Sequence, residues 1–161
     1  MKAYSLSILK KELSTLAAGD VLEICMKLVK YKKENKELLT YLLFDANSEP
    51  EFIRSIKKEM DLQFFEINTG HIYFAKKSLR KILRTVQKYI KYSGHKQTEV
   101  ELLIYFCSKL KESGIPYKTN VSLQNIFTNQ VRKIRLAIDT LHEDLQHDYS
   151  EELRAIEVLS R

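Results

Sequence analysis

The sequence predicts an all-α fold, and three observations carry that expectation. Only four Gly and two Pro interrupt 161 residues, too few for a β-sandwich or for disordered linkers. Apolar residues recur at three- and four-residue spacing along most of the chain. Capping residues and stop signals bracket those runs. With 44% hydrophobic and 30% charged residues the composition is that of an ordinary globular protein, long enough to bury a core. The expected architecture is a single domain, residues 1–161, of seven to eight helices packed as antiparallel hairpins.

Taken in order, Leu6, Leu9, Leu13 and Leu16 give a short first helix ending near Gly19. Asp20 and Glu23 form a capping-box pattern opening the second, with Val21, Ile24, Cys25 and Leu28 on its apolar face. Asn35 is the candidate cap of a third helix, Glu37 to Phe44. The run Ser48-Glu-Pro-Glu51 is a strong start signal: Ser48 caps, Pro50 occupies the first turn and Glu51 closes the box. The fourth helix then carries Ile53, Ile56, Met60, Phe64 and Ile67 up to Gly70.

A fifth, basic helix spans about Ile72 to Tyr92 and is closed by Gly94. The sixth starts at Gln97 or Thr98, holds the unbroken apolar run Leu102 to Cys107, and ends at Ser113-Gly114-Ile-Pro116. A helix apolar on every side is a central one. Ser122 caps the seventh, whose positions Phe127, Val131, Ile134, Ile138, Leu141 and Leu145 step in alternating fours and threes, a heptad seam. That seam packs on the sixth helix, or joins two copies into a homodimer through the 123–145 helix. A short acidic helix, Ser150 to Leu159, ends the chain.

Glu37-Leu-Leu-Thr-Tyr41 is echoed by Glu101-Leu-Leu-Ile-Tyr105, each following a Lys-Tyr pair and set between amphipathic helices. Residues 20–68 and 72–146 therefore read as two three-helix units, alongside a non-repeating bundle. In helix rhythm alone this resembles a short HEAT- or armadillo-like α–α superhelix. No diagnostic motif accompanies the rhythm, so the resemblance implies architecture and no function.

Charge is distributed unevenly. Net charge is +6, but residues 1–138 carry 25 basic and 14 acidic side chains, whereas residues 139–161 carry 2 and 7. A basic body and an acidic end speak of partners or self-pairing rather than fold. From Ile67 to Thr98 there is no Asp or Glu, and Lys76, Lys77, Arg80, Lys81, Arg84, Lys88 and Lys91 fall on the basic helix. At about 100° per residue these seven occupy roughly 140° of arc, opposite Ala75, Leu79, Ile82, Leu83, Val86 and Ile90.

The result is a stripe about 30 Å long that could follow a phosphate backbone. Tyr73, Phe74 and Tyr92 beside it are candidate stacking platforms. Five of the seven cations are Lys, which suits point-charge contacts better than base reading, so nucleic-acid binding here should be independent of sequence. The competing readings are a solvated face and one covered by the acidic C-terminal segment. Lys27, Lys30, Lys32, Lys33 and Lys36 cluster near the end of the second helix, where its dipole favours cations.

Catalytic and metal signals are negative. His142 and His147 are five apart, about 140° around a helix, whereas a zinc-protease helix needs them four apart. No Gly-rich phosphate loop, nucleophile elbow, Cys-His signature or Glu-x-x-His occurs. Cys25 and Cys107 lie in apolar runs 82 residues apart and read as buried free thiols. Lys10, Lys11 and Glu12 break the apolar run a signal peptide needs, and no window approaches the ~18 apolar residues of a membrane span. The expectation is a cytoplasmic, non-enzymatic protein without metal, cofactor or membrane. Its leading function is a helical interaction or scaffold protein holding another protein; the alternative is sequence-independent polyanion binding through the 72–92 helix.

Overall fold

The computed structural model describes residues 2–158, and among them the fold is all-helical. Eight α-helices follow one another: α1 Leu6–Thr15, α2 Ala18–Tyr31, α3 Lys33–Thr40, α4 Glu49–Phe65, α5 Ile72–Ser93, α6 Lys96–Glu112, α7 Val121–Ile138 and α8 Glu143–Val158. A π-helical turn, Tyr41–Asp45, follows α3. Two compact units result, Met1–Phe44 and Asp45–Arg161.

The first unit holds α1 to α3, with α2 packed on α3. None of these helices has a buried residue, and Leu6 (85% exposed) and Tyr31 (77%) stand in solvent. A unit this short is near the lower limit for building a core of its own. Its boundaries differ from the expected ones. Extended backbone at Leu16 and Ala17 separates α1 from α2, so Gly19 and Asp20 lie in the first turn of α2 rather than ahead of it. Asn35 lies inside α3, where its Nδ2 donates to the Leu28 carbonyl at 2.7 Å and ties α3 to α2.

The second unit is a five-helix bundle organised around α6, which packs against α4, α5, α7 and α8. Its Val100, Leu102, Leu103, Ile104, Phe106, Cys107 and Leu110 are buried on all sides, as an all-round apolar helix requires. Helix α4 contributes Phe52, Ile53, Ile56, Met60 and Phe64; α5 contributes Ala75, Leu79, Ile82, Leu83 and Val86. Contacts between α4 and α5 run in opposite order, Glu49 with Ser93 and Glu59 with Tyr89, so they form an antiparallel hairpin. Between α4 and α6 they rise together, Glu49 with Thr98, Lys57 with Glu101, and Asp61 with Tyr105, so these two run the same way.

Several ends follow the sequence signals and others depart from them. Gly94 takes the left-handed conformation (φ 71°) that closes α5, a geometry that favours glycine. Ser48 precedes α4 but its side chain makes no cap bond, so the expected capping box is not formed. Asn120, not Ser122, caps α7 by accepting from the Leu123 amide at 3.2 Å.

The expected 123–145 helix is two helices. Thr140 Oγ1 donates to the Ala137 carbonyl, and Gln146 Nε2 donates to the carbonyls of Asp139 and Leu141, which together close α7 at Ile138 and open α8. Phe127, Val131, Ile134 and Ile138 are buried within the bundle. The last helix thus begins seven residues before Ser150; Leu159 and Arg161 lie outside the described residues.

The Phe106 ring, fully buried and 5.5 Å from that of Phe64, is the largest side chain in the centre. Phe106→Ala is expected to cost about 3–5 kcal/mol of stability, measured by urea unfolding. Burial pushes the Cys107 thiol up to about 12. Cys107 should therefore resist a thiol reagent in the native protein and react only on unfolding, while the partly buried Cys25 reacts in both states.

Candidate functional site

The basic stripe stands on one face of α5 because the other face is consumed by the core. Lys77, Arg80, Lys81, Arg84 and Lys91 are exposed, and Lys76 and Lys88 half-buried. With no acid between Ile67 and Thr98, no cation on α5 can find a carboxylate three or four residues away. The acidic α8 packs on α6 and α7, where Glu157 pairs with Arg135 at 2.5 Å and Glu151 with Arg154. Among the described residues, no carboxylate lies within ion-pair distance of Lys76, Lys77, Arg80, Lys81, Arg84 or Lys91. Six like charges are therefore held along one rigid helix without compensation.

Lys88 is placed differently. Its Nζ lies 5.0 Å from the Tyr89 ring centroid and 6.0 Å from that of Tyr92, a cation–π position. Tyr89 in turn donates to Glu59 on α4 at 3.0 Å. Tyr92 is half-buried and packs edge-on against Tyr89, which makes it part of this cluster rather than an open platform. Tyr73 (66% exposed) and Phe74 (50%) stand open at the start of α5, their rings 5.4 Å apart and nearly perpendicular. A groove of about 570 Å³ runs beside the stripe, lined by Tyr73, Lys76, Lys77, Arg80, Arg84 and the side chains of Leu83 and Gln87.

A second polar region, which spacing along the chain does not reveal, lies where α4, α6 and α8 meet. Glu49 accepts from the Ser93 hydroxyl and, at 2.5 Å, from the buried Thr98 hydroxyl. Glu101 accepts from Lys57 (3.4 Å), Gln97 (3.3 Å) and Tyr149 (2.9 Å), tying three helices together. One turn further along, Tyr105 donates to Asp61 at 2.7 Å, and Lys109 pairs with the same carboxylate at 2.8 Å. Burial acts to raise Asp61, but the Lys109 and Tyr105 bonds outweigh it and hold its carboxyl below the usual range. Burial and Asp61 push the Tyr105 phenol up. An open cleft of about 590 Å³ lies beside Glu49 and Glu101.

The one sequence signal touching this region was the echo of Glu37 to Tyr41 in Glu101 to Tyr105. Glu101 and Tyr105, four residues apart, form the face that α6 turns toward α4. Glu49 and Tyr149 carry no such mark, because only folding brings them to α6. Elsewhere, His142 precedes α8 and lies 3.5 Å from Asp144, while His147 is exposed. No group of three His, Cys, Asp or Glu side chains among the described residues could hold a metal ion. No helix among them is long and apolar enough to cross a membrane. In comparisons with known proteins, the chain matches no family, no curated protein and no solved structure.

Tyr149 provides a test of the polar junction. Burial, then its bond to Glu101, raises the phenol from 10.0 to about 12. An unfolded tyrosine ionises near 10, so the native state keeps a proton that the unfolded state releases. This contribution is fully present below pH ~10 and is lost as pH rises toward ~12. Urea midpoints measured across that window should fall, and Tyr149→Phe should make the fall shallower.

Proposed function

We propose that the protein is a non-enzymatic interaction protein that holds a polyanion along α5. The observation that supports this is the run of six cations, Lys76, Lys77, Arg80, Lys81, Arg84 and Lys91, with no carboxylate in ion-pair reach. Isolated like charges repel, and a phosphate chain relieves that repulsion while releasing its own counterions. Successive cations on one helical face follow a line, which matches a strand of phosphates better than a compact anion. Tyr73 and Phe74, exposed at one end of the stripe, offer rings on which unpaired bases can stack. The contacts in this reading go to phosphates and stacked faces, so they carry no base sequence. Two free cysteines agree with a reducing, cytoplasmic setting for this activity.

A second reading, a scaffold that presents helices to another protein, is favoured by the unburied apolar side chains of α1 and α2, among them Leu6, Leu22, Leu28 and Tyr31. The two readings separate on salt. Binding along α5 should weaken steeply with ionic strength, whereas an apolar contact should persist.

The test is fluorescence anisotropy with labelled single-stranded RNA and duplex DNA at low and physiological salt. Arg80→Glu/Arg84→Glu is the informative variant, since both side chains are exposed and neither supports the core. The expected result is saturable binding whose log affinity falls linearly with log salt and which weakens at least about tenfold in the variant. Absence of binding at low salt would overturn the polyanion reading and leave the scaffold reading standing.

A further inference from the structure

The cleft at the starts of α4 and α6 also holds charge without a side-chain partner among the described residues. It is about 590 Å³ in volume, within the range of small-ligand sites. Pro50, Ile53 and Leu141 give it apolar surface, and Glu49, Glu101, Arg54, Lys57, His95, Lys96, Gln97 and Thr98 supply the polar groups. The two carboxylates are already engaged. Glu49 accepts from Ser93 and Thr98, and Glu101 from Lys57, Gln97 and Tyr149. Lys57 is thereby matched to Glu101, and Lys96 is matched to Glu99 at 2.7 Å.

What remains is one-sided. The Arg54 guanidinium and the His95 imidazole have no side-chain partner among the described residues, and both are exposed along the cleft. His95 is also the residue at the start of α6 and makes no side-chain cap bond there. The unspent groups are thus a fork of N–H donors and a ring that can donate, in a cleft that Pro50, Ile53 and Leu141 also line. Arg54 offers parallel donors in the geometry that a carboxylate or phosphate accepts. Both oxygens of Glu101 and Oε1 of Glu49 already face donors of their own, and none of these donors is Arg54 or His95.

We propose that this cleft binds a small organic anion, its carboxylate or phosphate group held by Arg54 with His95 and its body resting on Pro50, Ile53 and Leu141. The site is separate from the α5 stripe in its residues and in the ligand it takes. Its walls come from the ends of several helices, so it accepts a compact anion rather than an extended chain.

Titration followed by two-dimensional NMR of the full-length protein tests this, with citrate and inorganic pyrophosphate as separate probes to distinguish a carboxylate from a phosphate ligand. The expected result is saturable shifts confined to residues 49–57 and 95–101 and to the neighbourhood of Leu141. Arg54→Ala should weaken binding at least about tenfold, and Arg80→Glu/Arg84→Glu should leave it unchanged. Arg54 is exposed, so its replacement leaves the fold intact, checked by the unchanged remainder of the spectrum. The proposal is overturned if neither probe saturates, or if shifts centre on residues 76–91 and vanish in the α5 variant while surviving in Arg54→Ala.

Discussion

The requirement that α6 be covered on every side organises the larger unit. Its run from Leu102 to Cys107 holds no charged residue and one polar side-chain atom, the Tyr105 hydroxyl that Asp61 accepts from, and a helix so widely apolar is stable only with neighbours on most sides. Four helices, α4, α5, α7 and α8, supply that cover. Each needs one apolar stripe and can spend its remaining surface on charge. The α5 stripe is a consequence. Ala75, Leu79, Ile82, Leu83 and Val86 go inward to meet α6, and a helix with its inner face committed must present everything else to water.

The same demand explains why the polar contacts between helices are concentrated along α4, α6 and α8. Along one side α6 carries Gln97, Glu101 and Tyr105 at four-residue intervals, the last of them within the apolar run itself. A polar group that is taken partly out of water must be hydrogen-bonded, and the partners come from the two flanking helices, Lys57 and Asp61 on one side and Tyr149 on the other. Lys57 and Lys109 further lie 5.4 and 5.7 Å from the Tyr105 ring centroid, so their charges are balanced by the ring as well as by carboxylates. These bonds fix the register of three helices, which non-directional apolar packing alone leaves loose.

How much of this was legible in the chain depended on the range of the interaction. Local signals worked where one residue suffices: Gly94 marks the close of α5, and the apolar run marks α6 as central. They failed where two capping residues compete, as Asn120 prevailed over Ser122, and where period outlasts the helix. Leu141 and Leu145 continue the four-three spacing of α7 across the break after Ile138, because the turn returns the chain to the same core. Periodicity records which side is buried and is blind to a change of direction. The stripe was legible because all of its residues share one helix. The Glu49, Arg54 and Glu101 cleft was not, since its residues come from different helices and their spacing along the chain has no meaning until the bundle forms.

The two charged regions differ in how water treats them, and this separates what each can hold. Along α5 most of the cations are exposed to water, where each contact is weak and screened within about 8–10 Å at ordinary salt. Useful affinity there must come from many contacts at once, which only an extended polyanion supplies. In the cleft, part of the solvent is replaced by Pro50, Ile53 and Leu141, and a single fork of donors acts at lower effective dielectric. One well-placed anionic group can then suffice, and shape rather than length decides what enters. The α6 constraint underlies both, because it holds α5 straight on one side of the bundle and sets the starts of α4 and α6 side by side.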